Sequence, residues 1–209
     1  SRGLGDVYKR QQVVHRSRYL YLQRPLQDRQ YEHERKRHSG KERELQIPAF
    51  YPDQCAHHAI MQVLKPIIEK SSYRWSCANI PDRGIDLACK GVERATVRDK
   101  KHAKYCVKMD ISKFYPSIPH GKLKARLREK IKDEKALQVI FKVIDSHEQG
   151  LPIGNYTSPW LAELYLQPLD YLIKQKHRIR HYVRYADDLV LIDNNKRKLR
   201  KALYDICLL

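Results

Sequence analysis

No stretch of the 209 residues is apolar for long enough to span a bilayer as a helix, and no cleavable signal sequence is read, so no membrane partner is expected. Paired cysteines are also missing. Cys55, Cys77, Cys89, Cys106 and Cys207 are scattered without C-x-x-C spacing, which argues against a zinc site or a disulfide frame and for reduced thiols in a cytoplasmic protein. His57 and His58, near Cys55, point to different faces of any helix and read as scaffold rather than ligands. Acid is the third scarcity: 24 Asp and Glu stand against 42 Lys and Arg, a net charge of +18. That surplus excludes an ordinary balanced surface and implies a polyanionic partner, nucleic acid first and an anionic membrane second. A chain of this length forms one domain or a compact pair of subdomains with a real core.

The stretch around which the chain is organised runs from His181 to Asp193. Tyr182, Val183 and Tyr185 favour an extended chain, as do Leu189 to Ile192, so the spacing predicts a hairpin with Ala186, Asp187 and Asp188 at its tip. An Asp-Asp turn alone is ordinary, because Asp accepts hydrogen bonds from nearby backbone N–H groups. A third carboxylate changes that reading. Tyr105 to Ile111 is a short extended run carrying Asp110, and an aspartate leaving a buried strand is costly unless a cation or metal pairs with it.

Asp110-Ile-Ser-Lys-Phe-Tyr115, the loop Gly150-Leu-Pro-Ile-Gly-Asn-Tyr-Thr-Ser158 and Tyr185-Ala-Asp-Asp188 stand in one order along the chain. In these three boxes the chain resembles reverse transcriptases, closer to the bacterial and phage kinds (group II intron, retron, diversity-generating, defence-associated) than to the retroviral ones. The resemblance implies an α+β right-hand polymerase: a palm built on an antiparallel sheet backed by helices, with mixed fingers and no thumb in this chain. It covers about residues 33–209, with a basic N-terminal helical extension at 1–32, fingers at 33–104 and a palm at 105–209 truncated before the thumb. The chain begins without Met, and a fragment of a longer enzyme is expected.

The resemblance also implies roles. Asp110, Asp187 and Asp188 are expected to be catalytic and, with the Ile111 carbonyl, to hold two Mg²⁺ ions (with Mn²⁺ as a substitute) about 3.5–4 Å apart. Mg²⁺ prefers hard oxygen donors and takes part of its shell from water and substrate phosphates, which is why aspartates suit it better than His or Cys. Tyr115, five residues after Asp110, is expected under the sugar of the incoming dNTP, where a ring leaves no room for a 2′-hydroxyl. RNA-dependent RNA polymerases tend to carry a polar residue there and Gly-Asp-Asp in place of Tyr-Ala-Asp-Asp. Gly154 and Asn155 are expected to approach the nucleotide. Pro159 stands where the family often has Gln, which weakens any side-chain template contact at that position. Arg83, in a glycine-containing loop that runs into a basic helix, is the leading candidate for gripping the triphosphate. Lys90, Arg94, Tyr185 and Ala186 are candidates for the template and primer. Partners implied are an RNA template, a DNA or RNA primer, dNTPs, and a cognate structured RNA or accessory protein. The Ile47-to-Asp53 stretch leans toward a diversity-generating or defence-associated system.

Local patterning supplies the scaffold. A helix over Asp6 to Leu22 is expected, then a hairpin over 33–48 turning at Ser39-Gly40. Asp53 is expected to cap a helix with Ala56, Ile60, Val63 and Leu64 inward. Leu123 and Leu127 suit one amphipathic helix, and Ala136, Val139, Ile140 and Val143 a second. A helix opening at Thr157 or Ser158 has Pro159 in its first turn, and the resemblance implies a last helix over Lys196 to Cys207. Two other functions compete with polymerase: a catalytically silent nucleic-acid-binding module and a metal-dependent nuclease. Three clustered acids are of no use to the first, and neither Tyr115 nor the Gly150–Ser158 loop is needed by the second.

Overall fold

The helices and strands follow from where apolar residues recur and where glycine, proline and polar caps interrupt them. In this computed structural model the described residues are 31–38 and 41–209, so the expected helix over Asp6 to Leu22 and the Ser39-Gly40 turn lie outside them. Among the described residues, seven helices and two antiparallel sheets form an α+β fold. Strands β1 (Tyr31–His38) and β2 (Lys41–Pro48) pair in register from Tyr31 opposite Pro48 to His38 opposite Lys41, as the hairpin reading required. The other sheet has the order β3 (Tyr105–Asp110), β5 (Asp188–Asp193), β4 (His181–Tyr185). Among the described residues no helix is long and apolar enough to cross a membrane.

The chain divides into two compact units, each drawn from two separated stretches. The first takes the described residues up to Ile67 and Tyr115–Leu161. Helix α1 (Cys55–Ser71) begins in it and buries Ala56, Ile60, Met61 and Leu64. Val63 is exposed, against expectation, because the apolar stripe turns toward Met61 instead. Asp53 is no N-cap: it is buried within a preceding helical turn, Phe50–Gln54. Helices α4 (His120–Lys130) and α5 (Glu134–Ile144) follow the single turn α3 (Phe114–Ser117). Leu123 and Leu127 of α4 are fully buried, and α5 buries Leu137, Val139, Ile140, Val143 and Ile144. Asp133 starts α5 by accepting from the N–H groups of Lys135 and Ala136 at 2.8 and 3.1 Å, which satisfies two of the donors a helix start leaves open.

The second unit takes Ile68–Phe114 and Ala162–Leu209, and contains the three-stranded sheet. Helix α2 (Ile85–Glu93) packs on one face of it through Ala88 and Gly91, and a wider turn (Arg94–Arg98) prolongs that helix. Helix α6 (Ser158–Tyr171) is buried nearly all round, and Pro159 sits in its first turn where no backbone N–H is needed. Helix α7 (Lys196–Cys207) has the predicted bounds, with the Asn195 side chain accepting from the Lys198 N–H at 3.1 Å.

Candidate active site

Strand alternation decides which carboxylates meet. Asp110 is directly opposite Asp188, and Tyr185 is opposite Asp188 on the other side, so the three project from one face at one end of the sheet. Ala186 and Asp187 form the two-residue turn between β4 and β5, which brings Asp187 beside that row. The strand carrying Asp110 is an edge strand whose outer face, Cys106, Lys108 and Asp110, is exposed. This corrects the expectation of a buried strand: Asp110 stands on an exposed face, opposite another carboxylate. Carboxylates directly across an antiparallel pair repel.

Asp187 records that repulsion. Burial raises its carboxyl above the usual carboxylate range, the charges of Asp110 and Asp188 raise it further, and so does a side-chain hydrogen bond with Asp110. Among the described residues no Lys, Arg or His forms an ion pair with Asp110, Asp187 or Asp188. An oxygen-only, electron-rich cluster with no counter-ion among the described residues fits Mg²⁺. The described acidic, His and Cys side chains do not by themselves close into a three-ligand cage. The Ile111 carbonyl follows Asp110 immediately in the chain.

A buried guanidinium holds this end of the sheet. Arg184 is completely shielded from solvent. It grips two carboxylates of α6 with paired bonds: Nη1 and Nη2 donate to Glu163 at 3.0 Å each, while Nε and Nη2 donate to Asp170 at 2.9 and 2.7 Å. A third contact runs from Nη1 to the Ala186 carbonyl at 3.3 Å. Tyr182 donates to Asp170 at 2.7 Å and Ser76 to Glu163 at 2.8 Å. The Arg184 backbone is clamped as well, its N–H donating to the Trp75 carbonyl at 2.9 Å and its carbonyl accepting from the Cys77 N–H at 2.8 Å. Burial alone would make Arg184 easier to deprotonate, but Asp170 and Glu163 outweigh it and hold the guanidinium well above its ordinary value. The clamp matters because Ala186 sits at φ +52°, a conformation that disfavours a side chain by about 1–2 kcal/mol. Sequence reading passed over Arg184. The signal for it is Glu163 and Asp170, two acids seven residues apart on a largely apolar helix and therefore on one face.

Other sequence candidates fall in different surroundings. Arg83 Nη1 donates to the carbonyls of Tyr73 and Ser76 at 2.7 and 3.3 Å, bracing its own loop. Lys90 and Arg94 are exposed on α2 and its extension. In the first unit, Tyr115 is half-buried on α3 and its carbonyl accepts from the Leu151 N–H at 2.9 Å. The Gly150–Ser158 loop is packed tightly there. Gly150 has φ +68°, and a Cβ on it would come within 2.4 Å of the Tyr115 carbonyl oxygen. Gly154 has φ +119°, and its Cβ would meet the Gln46 carbonyl oxygen at 2.9 Å, so its close approach is to β2. Asn155 is only 3% exposed, with no bonded partner for its amide among the described residues, so it faces the interior rather than open solvent.

Residues 35–207 match the family model described as reverse transcriptase (RNA-dependent DNA polymerase). Protein YkfC of Escherichia coli K12 is 22% identical over 81% of this chain and 55% of its own. Group II intron-encoded protein LtrA of Lactococcus lactis is 31% identical over 67% of this chain and 24% of its own. This chain therefore spans about half the length of the first relative and about a quarter of the second. Apo telomerase from Candida tropicalis, truncated from its C-terminal domain, superposes with a TM-score of 0.65 at 16% identity, over 84% of this chain and 45% of that one. That likeness shows the right-hand polymerase fold.

Proposed function

The chain belongs to the reverse transcriptase family, and from that premise we propose that it carries the nucleotidyl-transfer site of an RNA-templated DNA polymerase. The supporting observation is the register that sets Asp110 against Asp188 with Asp187 in the adjoining turn, three carboxylates without a counter-ion among the described residues. Two Mg²⁺ ions, with Mn²⁺ as a substitute, would lower the pKa of the primer 3′-hydroxyl and neutralise charge on the leaving pyrophosphate. Asp110 and Asp187 would hold both ions, with a further oxygen from the Ile111 carbonyl, and Asp188 would support the primer side. No side chain serves as nucleophile. The Arg184 clamp keeps the Ala186–Asp187 turn in place, which is the positioning that an in-line attack needs.

Under the same reading, residues 33–104 act as fingers and 105–209 as palm. Tyr115 excludes the 2′-hydroxyl, while Gly154 sets the loop that approaches the nucleotide. Tyr185 and Ala186 contact the primer end and Lys90 and Arg94 the template. Arg83 shapes the triphosphate loop through its brace, and Asn155 turns outward only if the loop rearranges. The partners are an RNA template, a primer and dNTPs.

The test is primer extension on an RNA template with Mg²⁺ and either dNTPs or rNTPs, using this chain and a longer natural form. Asp110→Asn and Asp187→Asn are expected to abolish extension by dNTPs while template binding stays within about twofold of the parent, since binding rests on other contacts. Synthesis retained in either variant would sink the assignment. RNA binding without synthesis in every form would favour a silent binding module.

A further inference from the structure

A concave site lies within the same unit as the carboxylates, along the opposite end of β4. It is a cavity of about 670 Å³ between the α2 extension, the end of the segment following α6, and the start of β4. Four basic side chains line it, Arg94, Arg98, Lys174 and Arg180, against one carboxylate, Asp99. Asp99 is already engaged: His102 Nδ1 at 2.6 Å, His181 Nε2 at 2.9 Å and Arg180 Nε at 3.1 Å all meet it. Lys174 is held in place by donating to the carbonyls of Ile179 and Arg180 at 2.7 and 3.1 Å. Burial pushes its ammonium below the ordinary value, and the nearby charges of Lys198 and Arg180 push it further. The cavity is therefore cationic beyond what its own acid balances. Two half-buried rings, Tyr73 and Trp75, form part of its wall.

We propose that this cavity binds one or two nucleotides of a single-stranded polynucleotide, with phosphates on Arg94, Arg98 and Lys174 and a base against Tyr73 or Trp75. The proposal rests on the nucleic-acid reading above but not on its chemistry. Cations that track a backbone beside aromatic faces form the general arrangement for holding single strands. A concave pocket cannot enter a duplex groove, whereas an unstacked base can enter the pocket. The volume lies in the range of ordinary ligand pockets, about 300–1,000 Å³, which is too small for a helix of nucleic acid. From His181 to Tyr185 the strand rises about 13 Å. A strand held here would be anchored away from the carboxylates, as an entry or exit path is.

The test uses the 209-residue chain and a labelled single strand of about 10 nucleotides, RNA or DNA, followed by fluorescence anisotropy across a salt series. Arg98→Glu is compared with Lys201→Glu on α7, which makes the same change in net charge at an exposed position outside the cavity. Arg98→Glu is expected to weaken binding about tenfold and to lower the salt slope by about 0.7 for each phosphate that is no longer neutralised, with Arg98→Lys restoring both. A strand carrying a photoreactive uridine is expected to crosslink at Tyr73 or Trp75. Equal weakening in the Glu variants at 98 and 201, or crosslinks confined elsewhere, would overturn the proposal. So would inorganic phosphate that saturates the cavity while the strand keeps full affinity. Primer extension reads the carboxylate site and strand anisotropy reads the cavity, so failure of the polymerase reading and failure of this one appear in different assays.

Discussion

Arg184 carries one charge against two carboxylates in a place closed to water, and its removal leaves both of them behind. Breaking a buried ion pair by deleting one partner is destabilising by about 3–5 kcal/mol, more than the pair itself is worth. Arg184→Met is therefore expected to lower stability by about that amount in urea denaturation, and Arg184→Lys by less, because one ammonium cannot reproduce the four paired bonds. An unchanged midpoint in Arg184→Met would show that the clamp holds nothing. Asp187 makes a pH-dependent case. Its carboxyl is raised above the ordinary 3.8, by burial first and then by Asp110 and Asp188. Ionisation is thus disfavoured in the fold: the stability this group contributes is present below its ordinary value and lost as pH rises through the raised one. Asp188→Asn is expected to reduce that loss. At neutral pH, Mg²⁺ is expected to raise the thermal midpoint of the parent and leave Asp110→Asn nearly unmoved. A parent midpoint indifferent to Mg²⁺ would count against the metal assignment.

At the scale of elements, α2 comes so close to β4 that the contact needs glycine. A Cβ at Gly91 would lie 2.7 Å from Val183 and 2.8 Å from the Trp75 ring, both packed in the cluster with Cys77 and Ala88. Gly91 lies within the helix, so alanine suits its backbone better by about 1 kcal/mol. Overpacking typically costs about 1–3 kcal/mol, and Val183 cannot yield easily because Arg184, next to it, is tied on every side. Gly91→Ala is therefore expected to be net destabilising by chemical denaturation; a gain in stability would mean that α2 slides freely. The Gly150–Ser158 loop follows the same logic through Tyr115 and Gln46. Its glycines were legible as turn residues, but their neighbours were not, because those come from distant parts of the chain.

For the whole molecule, the surplus of +18 sets behaviour more than any single contact does. Affinity for RNA or DNA is expected to fall steeply between about 50 and 200 mM salt, linear on logarithmic axes, as counterions released by bound Lys and Arg lose their entropic advantage. A flat salt response in an anisotropy titration would contradict a phosphate-driven interface. The cationic residues do not form an even coat. Arg94, Arg98, Lys174 and Arg180 converge on one cavity, and Lys198 is drawn inward to Asp193 at 2.8 Å.

Hydrophobic period and turn chemistry are local, so the sequence by itself determined the 33–48 hairpin and the strand–turn–strand around Ala186 and Asp187, while the α+β class and the Lys196–Cys207 helix followed from the family resemblance of the three boxes. Asp110, Asp187 and Asp188 were recognisable because three acids in ordered boxes stand out from a basic chain. Only the tertiary structure decided that Asp110 lies on an exposed edge opposite Asp188, that Arg184 is a buried brace between Glu163 and Asp170, and that Arg83 bonds its own loop. Burial and charge pairing depend on which strands and helices become neighbours, and that is settled by packing over separations far longer than any repeat visible along the chain.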